Sequence, residues 1–129
     1  MTFLADVSLL LALAWSHHPD HIRARAWWIA LGQGDTLATC AITELGFVRI
    51  SVQPAFGLSD IAKAKQVLAQ LSSARPGHVF LPDTLGADAL PAWVKTAKHT
   101  TDGHLAALAA VHGAKLATLD AGIPGAVLI

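Results

Sequence analysis

The chain has 129 residues, no formal net charge at pH 7 with its histidines neutral, and a composition that is 53% hydrophobic and only 14% charged. This length suits one compact domain with ample core, and no apolar run reaches the ~18 residues that a membrane span needs. Nine basic residues balance nine acidic ones, which argues against a general polyanion binder, so any nucleic acid must be held by metal ions or a few arginines. A single cysteine, Cys40, excludes an internal disulfide and a cysteine-based zinc cage, and in its apolar setting it reads as a buried small hydrophobe. The start lacks the basic stretch of a secretory leader and Asp6 interrupts its apolar run, so a cytoplasmic protein is expected. High apolar content at zero net charge also points to a surface covered by a second copy or a tight partner.

In chain order, residues 3–5 read as a strand ending at Asp6, and 7–15 as a helix of good formers. His17-His18-Pro19-Asp20 breaks it, and Pro19 suits the first turn of a helix to about Leu31, with Ile22, Ala26, Ile29 and Ala30 as its expected buried side. Residues 32–35 form a turn, 36–40 a second strand and 41–53 a helix. A further helix begins after Leu58 with Ser59 as expected N-cap, its apolar side being Ile61, Ala64, Val67, Leu68 and Leu71. Residues 78–81 are a short strand stopped by Pro82, and 85–90 are consistent with a short helix. Thr100 or Thr101 is expected to cap a helix that runs to His112 and stops at Gly113. Residues 115–119 form a strand ending at Asp120, and 126–129 a last buried strand. The alternation of strands and helices predicts α/β architecture with a mainly parallel sheet.

The acids are few, so their placement is informative. Asp6 and Asp120 each follow a strand, and ligands of parallel α/β sheets bind outside the carboxyl ends of strands where the strand order reverses. Asp102 opens the helix that leads to the strand before Asp120, and Glu44 lies about one turn into the helix after the second strand. Each has an ordinary explanation: a helix-start acid for Asp102, a turn acid for Asp120, a solvated helix residue for Glu44. Asp6 is the hardest to explain this way, because it interrupts an apolar stretch and carboxylates are rarely buried unpaired. Four carboxylates in one pocket repel, and a hard divalent cation such as Mg²⁺ or Mn²⁺ relieves the repulsion and can activate water against a phosphodiester.

These residues carry a family resemblance. Phe3-Leu4-Ala5-Asp6-Val7-Ser8, Thr43-Glu44-Leu45-Gly46-Phe47-Val48-Arg49, Thr101-Asp102-Gly103-His104-Leu105 and Leu116-Ala117-Thr118-Leu119-Asp120 resemble, in order and spacing, the motifs of PIN-domain proteins, and the closest subgroup is the VapC-like toxins. The resemblance implies a three-layer α/β/α domain over residues 1–129 and an Mg²⁺- or Mn²⁺-dependent endoribonuclease acting as the toxin of a toxin–antitoxin pair. Asp6, Glu44, Asp102 and Asp120 would be its catalytic and metal-site acids, and Ser8 and Thr118 supporting hydroxyls. RNA as substrate, a small cognate antitoxin and a homodimer are implied as partners. Gly103-His104 departs from the small-then-aromatic pair frequent in relatives, which bears on RNA preference and leaves the acids untouched.

Other features carry less. His17, His18, Asp20 and His21 form a cluster whose His17–His21 spacing suits metal chelation on a helix, but Pro19 interrupts it and a solvated loop is the default. Adjacent Trp27 and Trp28 cannot both enter the core from one helix face, so one is expected in the core and the other is a candidate partner contact. Arg49 is a candidate for RNA phosphate, and Arg23, Arg25, Lys95, Lys98 and His99 for a weak basic rim, against ordinary surface charge for each. Asp83 reads as a helix cap. A response-regulator-like domain would also gather acids around Mg²⁺, but it needs paired acids near the first strand and a lysine after the last, and neither is present. A non-catalytic metal- or RNA-binding domain of the same fold is the remaining alternative.

Overall fold

A computed structural model describes every residue except Leu58, Ser59 and Pro76. Five parallel strands, β1 (Thr2–Ala5), β2 (Thr36–Thr39), β3 (Val79–Phe80), β4 (Lys115–Thr118) and β5 (Val127–Leu128), form one sheet in the order β3-β2-β1-β4-β5. Helices α1 (Val7–Ala14), α2 (His21–Ala30), α3 (Ala41–Ser51), α4 (Ile61–Ser73) and α5 (Thr100–Val111) cover it, with short 3₁₀ turns at Ala87–Ala89 and Ala97–His99.

The chain winds from β1 to β3 toward one edge, then crosses to β4 and β5 on the other side. The crossing puts helices on both faces. Ala5, Leu37 and Ala117 point to the core shared with Leu9, Leu10, Trp28, Phe47 and Leu68 of α1–α4. Leu4, Ala38 and Leu116, one residue out of step, point to the core formed with Leu105, Leu108 and Ala109 of α5. Alternation over two buried faces is why these strands read as apolar runs. The expected three-layer architecture is therefore found, with every strand pairing parallel.

Several expectations are corrected. The buried side of α2 is Ala24 and Trp28, whereas Ile22 and Ile29 are 84% and 73% exposed and Ala26 and Ala30 are exposed with them. Two stripes of this helix have helical spacing, and the one carrying the larger ring enters the core. Trp27 is half-buried, meeting Phe3 edge-on at 5.6 Å. The carbonyls at the end of α2 are satisfied by Arg75, which donates to Trp28 O (2.8 Å), Leu31 O (3.1 Å) and Gly32 O (2.7 Å).

The expected cap Ser59 lies outside the described residues. Asp60 caps α4 by accepting from Lys63 N at 2.7 Å. Neither Thr100 nor Thr101 caps α5: the helix begins at Thr100 after His99, because the preceding 3₁₀ turn feeds straight into it. Gly113 ends that helix in the left-handed region, φ +66°. The last strand is a sheet edge with Leu128 52% exposed rather than a buried strand. Residues 85–90 make only the 3₁₀ turn at Ala87–Ala89. Asp83 is no helix cap: it accepts from Leu85 N at 2.9 Å and meets His104 Nε2 at 2.5 Å, which clasps this loop to α5 and holds the Asp83 carboxyl below its usual range. Gly103 keeps the small residue of that pair for a packing reason, since a Cβ there would sit 2.2 Å from Val94 Cγ2, and the departure falls on His104, which partners Asp83.

Candidate active site

The strand order reverses at β1, between β2 and β4, and a cleft of about 530 Å³ opens at the carboxyl end there. Asp6, Ser8, Asp20, Thr101, Asp102 and Asp120 supply its polar lining.

Asp6 is 7% exposed and is the N-cap of α1, accepting from Leu9 N at 2.7 Å through Oδ1. The cap gives Asp6 a structural role beside any chemical one. Its Oδ2 accepts from Thr118 Oγ1 at 2.5 Å. The same hydroxyl accepts from Asp120 N at 3.0 Å, and Asp120 Oδ1 accepts from Gly122 N at 2.8 Å. Thr118, fully buried, thus ties the carboxylate after β1 to the turn after β4. The register explains the contact: Ala5 is level with Ala117, so one step further Asp6 is level with Thr118 on the same face.

Burial raises the Asp6 pKa above the usual carboxylate range; Thr118 and Leu9 N oppose this, and the charges of Asp102 and Asp120 add to it. Asp102, in the first turn of α5, is also raised, first by burial and then by Asp120, against the influence of His99 and Lys98. His99 Nδ1 stands 3.7 Å from Asp102 Oδ2, too far for a hydrogen bond, and is the buried side-chain nitrogen without a partner among the described residues.

Glu44 is placed differently. It lies outside that lining and instead lines a second, mostly apolar groove of about 600 Å³ between α3 and α4, with Leu45, Val48, Ile61 and Lys65. Its Oε1 accepts from Thr39 Oγ1 at 2.7 Å, and Thr39 Oγ1 also meets His78 Nε2 at 3.0 Å. Burial lowers the His78 pKa, with Glu44 opposing. Arg49 is exposed on α3 and Ser8 is exposed at the cleft. The structure therefore brings together Asp6, Asp102, Asp120, Ser8 and Thr118 at the cleft, with Glu44 bonded to Thr39 at the end of β2 and Arg49 exposed on α3.

Asp20, Thr39 and His78 lie outside the four motifs that mark the site in the sequence. Nothing in the sequence indicates that the turn after α1 folds back to bring Asp20 to the cleft. Thr39 had a signal, since Leu37-Ala38-Thr39 repeats Leu116-Ala117-Thr118. In the histidine cluster, His21 Nδ1 bonds Ala12 O at 2.7 Å and His17 packs against Phe56, so these rings face different partners.

The donor set of the cleft is carboxylate and hydroxyl oxygen, which suits a hard divalent cation; burial is the first cause of the raised Asp6 and Asp102 pKa values, and the repulsion from neighbouring acids that adds to it, Asp102 and Asp120 on Asp6 and Asp120 on Asp102, is what such a cation relieves. Among the described residues no three acidic, histidine or cysteine side chains close around an ion-sized point.

Comparison with known proteins agrees with this geometry. The sequence matches the PIN domain family over residues 3–126. It is 43% identical to Ribonuclease VapC38 of Mycobacterium tuberculosis, covering 93% of this chain and 86% of that protein. It is 38% identical to Ribonuclease VapC44 of the same organism, over 95% and 89%. A crystal structure of VapBC2 from Rickettsia felis bound to a promoter DNA fragment superimposes with a TM-score of 0.55 at 14% identity, covering 100% of this chain and 98% of that one, a likeness of fold. The chain belongs to the PIN-domain family and, within it, to the VapC ribonucleases, as its four motifs lead one to expect.

Proposed function

We propose that this chain is a divalent-cation-dependent endoribonuclease, the toxin of a toxin–antitoxin pair, working in the cytoplasm through the cleft at the end of β1. The observation that carries the reading is the clustering of Asp6, Asp102 and Asp120 at the point where the strand order reverses. Mg²⁺ or Mn²⁺ is the cation we assign, on the all-oxygen donor set. When bound, such an ion lowers the pKa of a water and offsets charge on the phosphodiester.

The chain's own residues do the rest. Asp6, fixed by Leu9 N and Thr118, presents a carboxylate that cannot swing away. Asp102 and Asp120 face it from α5 and from the turn after β4, so phosphate oxygens enter an acidic cleft only together with a cation. Thr118 is a positioning residue, because one hydroxyl fixes both Asp6 and the Asp120 backbone. Ser8 and Thr101 offer hydroxyls at the rim. Glu44 is the fourth acid of the set, held by the Thr39 hydroxyl at the end of β2, and Arg49 remains the candidate phosphate contact. A small antitoxin and a second copy of the chain are the partners we assign on the family resemblance, with residues 1–129 as one domain.

The test is RNA cleavage with purified chain, followed by sequencing of the new RNA ends. Cleavage that stops on chelation, returns with Mg²⁺ or Mn²⁺ and is lost in Asp102→Asn supports the reading. Cation binding without cleavage would leave the non-catalytic metal- or RNA-binding alternative standing.

A further inference from the structure

Asp20 stands at the N-cap position of α2 and makes no cap hydrogen bond. Its main chain is fixed by other contacts. Asp20 N donates to His18 Nδ1 at 3.1 Å, and His21 Nδ1 bonds Ala12 O at 2.7 Å, which pins the start of α2 to α1. The carboxylate is thus held at the cleft without being spent on the helix. Its neighbour is Arg23, whose Nη1 stands 3.7 Å from Asp20 Oδ1, a charge contact longer than a hydrogen bond. Arg23 Nη2 donates to the main-chain oxygen of Ile129, and Ile129 N donates to Thr118 O at 2.9 Å, so the guanidinium is tethered beside the end of β4. An arginine has five N–H donors, and most of these stay available. Both side chains are half-exposed. The acids whose charges raise the Asp6 pKa are Asp102 and Asp120, and Asp20 is not among them. Leu11, Ile50 and Leu119 add apolar wall to the same cleft, whose volume of about 530 Å³ suits a ligand of nucleotide size. A fixed acceptor and a fixed donor beside an apolar wall match a nucleobase, which has a flat face to pack and an edge to read.

We infer that Asp20 and Arg23 form a nucleobase subsite of the cleft, which selects a guanine next to the scissile phosphate. The inference rests on the reading of the cleft as an RNA site. A carboxylate only accepts, and guanine is the base whose edge carries two adjacent donors, N1–H and the N2 amino group, for it to accept together. Guanine O6 and N7 accept from an arginine fork, so one planar base meets both side chains. Adenine, cytosine and uracil each offer the carboxylate a single donor group. Asp20 and Arg23 are therefore specificity-determining residues, and the cation stays with Asp6, Asp102 and Asp120.

The test is equilibrium binding of labelled oligouridylates that carry one central guanosine, inosine or adenosine, read by fluorescence anisotropy on the whole chain. Ca²⁺ replaces Mg²⁺ as the oxygen-coordinated cation, and gels show that the strands stay whole. Wild type binds the guanosine strand about tenfold more tightly than the inosine strand, which lacks only the N2 amino group, or the adenosine strand. Asp20→Asn binds the guanosine and inosine strands alike. Arg23→Lys, which keeps the charge and loses the fork, narrows the preference for guanosine over adenosine. Equal wild-type binding of the guanosine and inosine strands overturns the subsite, as does a guanosine preference undiminished in both variants, or no binding of any strand. A fall in Mg²⁺ affinity of Asp20→Asn in calorimetry assigns Asp20 to the cation and overturns it too. The inosine comparison uses the unaltered chain, so no variant has to fold for the subsite to fail. Cleavage is read separately in Mg²⁺: a chain that prefers guanosine and cleaves nothing loses the nuclease reading and keeps the subsite, and a chain that cleaves beside every base equally does the reverse.

Discussion

Strands β2 and β4 flank β1 and both end in Leu-Ala-Thr, yet their threonines serve different acids. Thr118, level with Asp6, holds that carboxylate at the cleft. Thr39, level with Ala5, points to the opposite face and holds Glu44 among α3, α4 and His78. A one-residue difference in register separates them, and in a sheet one residue is the difference between faces. The consequence is electrostatic. On the β4 side, burial first and neighbouring acids second raise the pKa values of Asp6 and Asp102. On the β2 side, an acid meets hydroxyl and imidazole. The first arrangement calls for a cation; in the second the acid is held by a hydroxyl hydrogen bond.

The largest expected effect breaks the β4 side. Asp6→Asn abolishes cation binding in calorimetry and lowers RNA cleavage at least about 100-fold, beyond what loss of a supporting residue costs. Asparagine caps a helix nearly as well as aspartate, so the fold survives. Thr118→Val comes next, lowering cation affinity about 10- to 100-fold while circular dichroism stays native. Glu44→Gln then separates the two sides: its loss of cation affinity is smaller than either, and equal losses for Glu44→Gln and Asp6→Asn would erase the distinction.

Stability against pH sharpens the same contrast. Asp6 and Asp102 bind their protons more tightly in the folded chain, so their contribution to stability is present below the ordinary carboxylate pKa and is lost as pH rises through the raised values. The cation-free chain therefore loses melting temperature over that interval, and Asp6→Asn flattens the loss. Added Mg²⁺ restores the melting temperature by binding the folded state. Arg75→Ala is the control for stability alone: losing the guanidinium that caps α2 costs about 2 kcal/mol in denaturant unfolding and leaves cation affinity unchanged.

Much of this was legible in the sequence. Asp6, Asp102 and Asp120 follow strand ends or open a helix, and local rules locate such positions. The architecture followed from apolar strands alternating with helices. Register was not legible, because it depends on pairing between distant segments, and so the separation of Thr39 from Thr118 stayed hidden behind identical tripeptides. The buried face of α2 was misread for a related reason: Ile22, Ala26, Ile29 and Ala30 have helical spacing, but which stripe turns inward is decided by what lies beneath it, here the pocket that takes Trp28. The cap on α5 was displaced by a 3₁₀ turn whose sequence carries no distinctive signal.

The most direct test of the aspartate cleft is Mg²⁺-dependent cleavage of RNA by wild-type chain and Asp6→Asn, measured on samples whose cation affinity has been determined by calorimetry. The wild type is expected to bind the cation and cleave, and Asp6→Asn to remain folded and do neither. Wild-type cleavage by a folded Asp6→Asn chain would contradict the assignment.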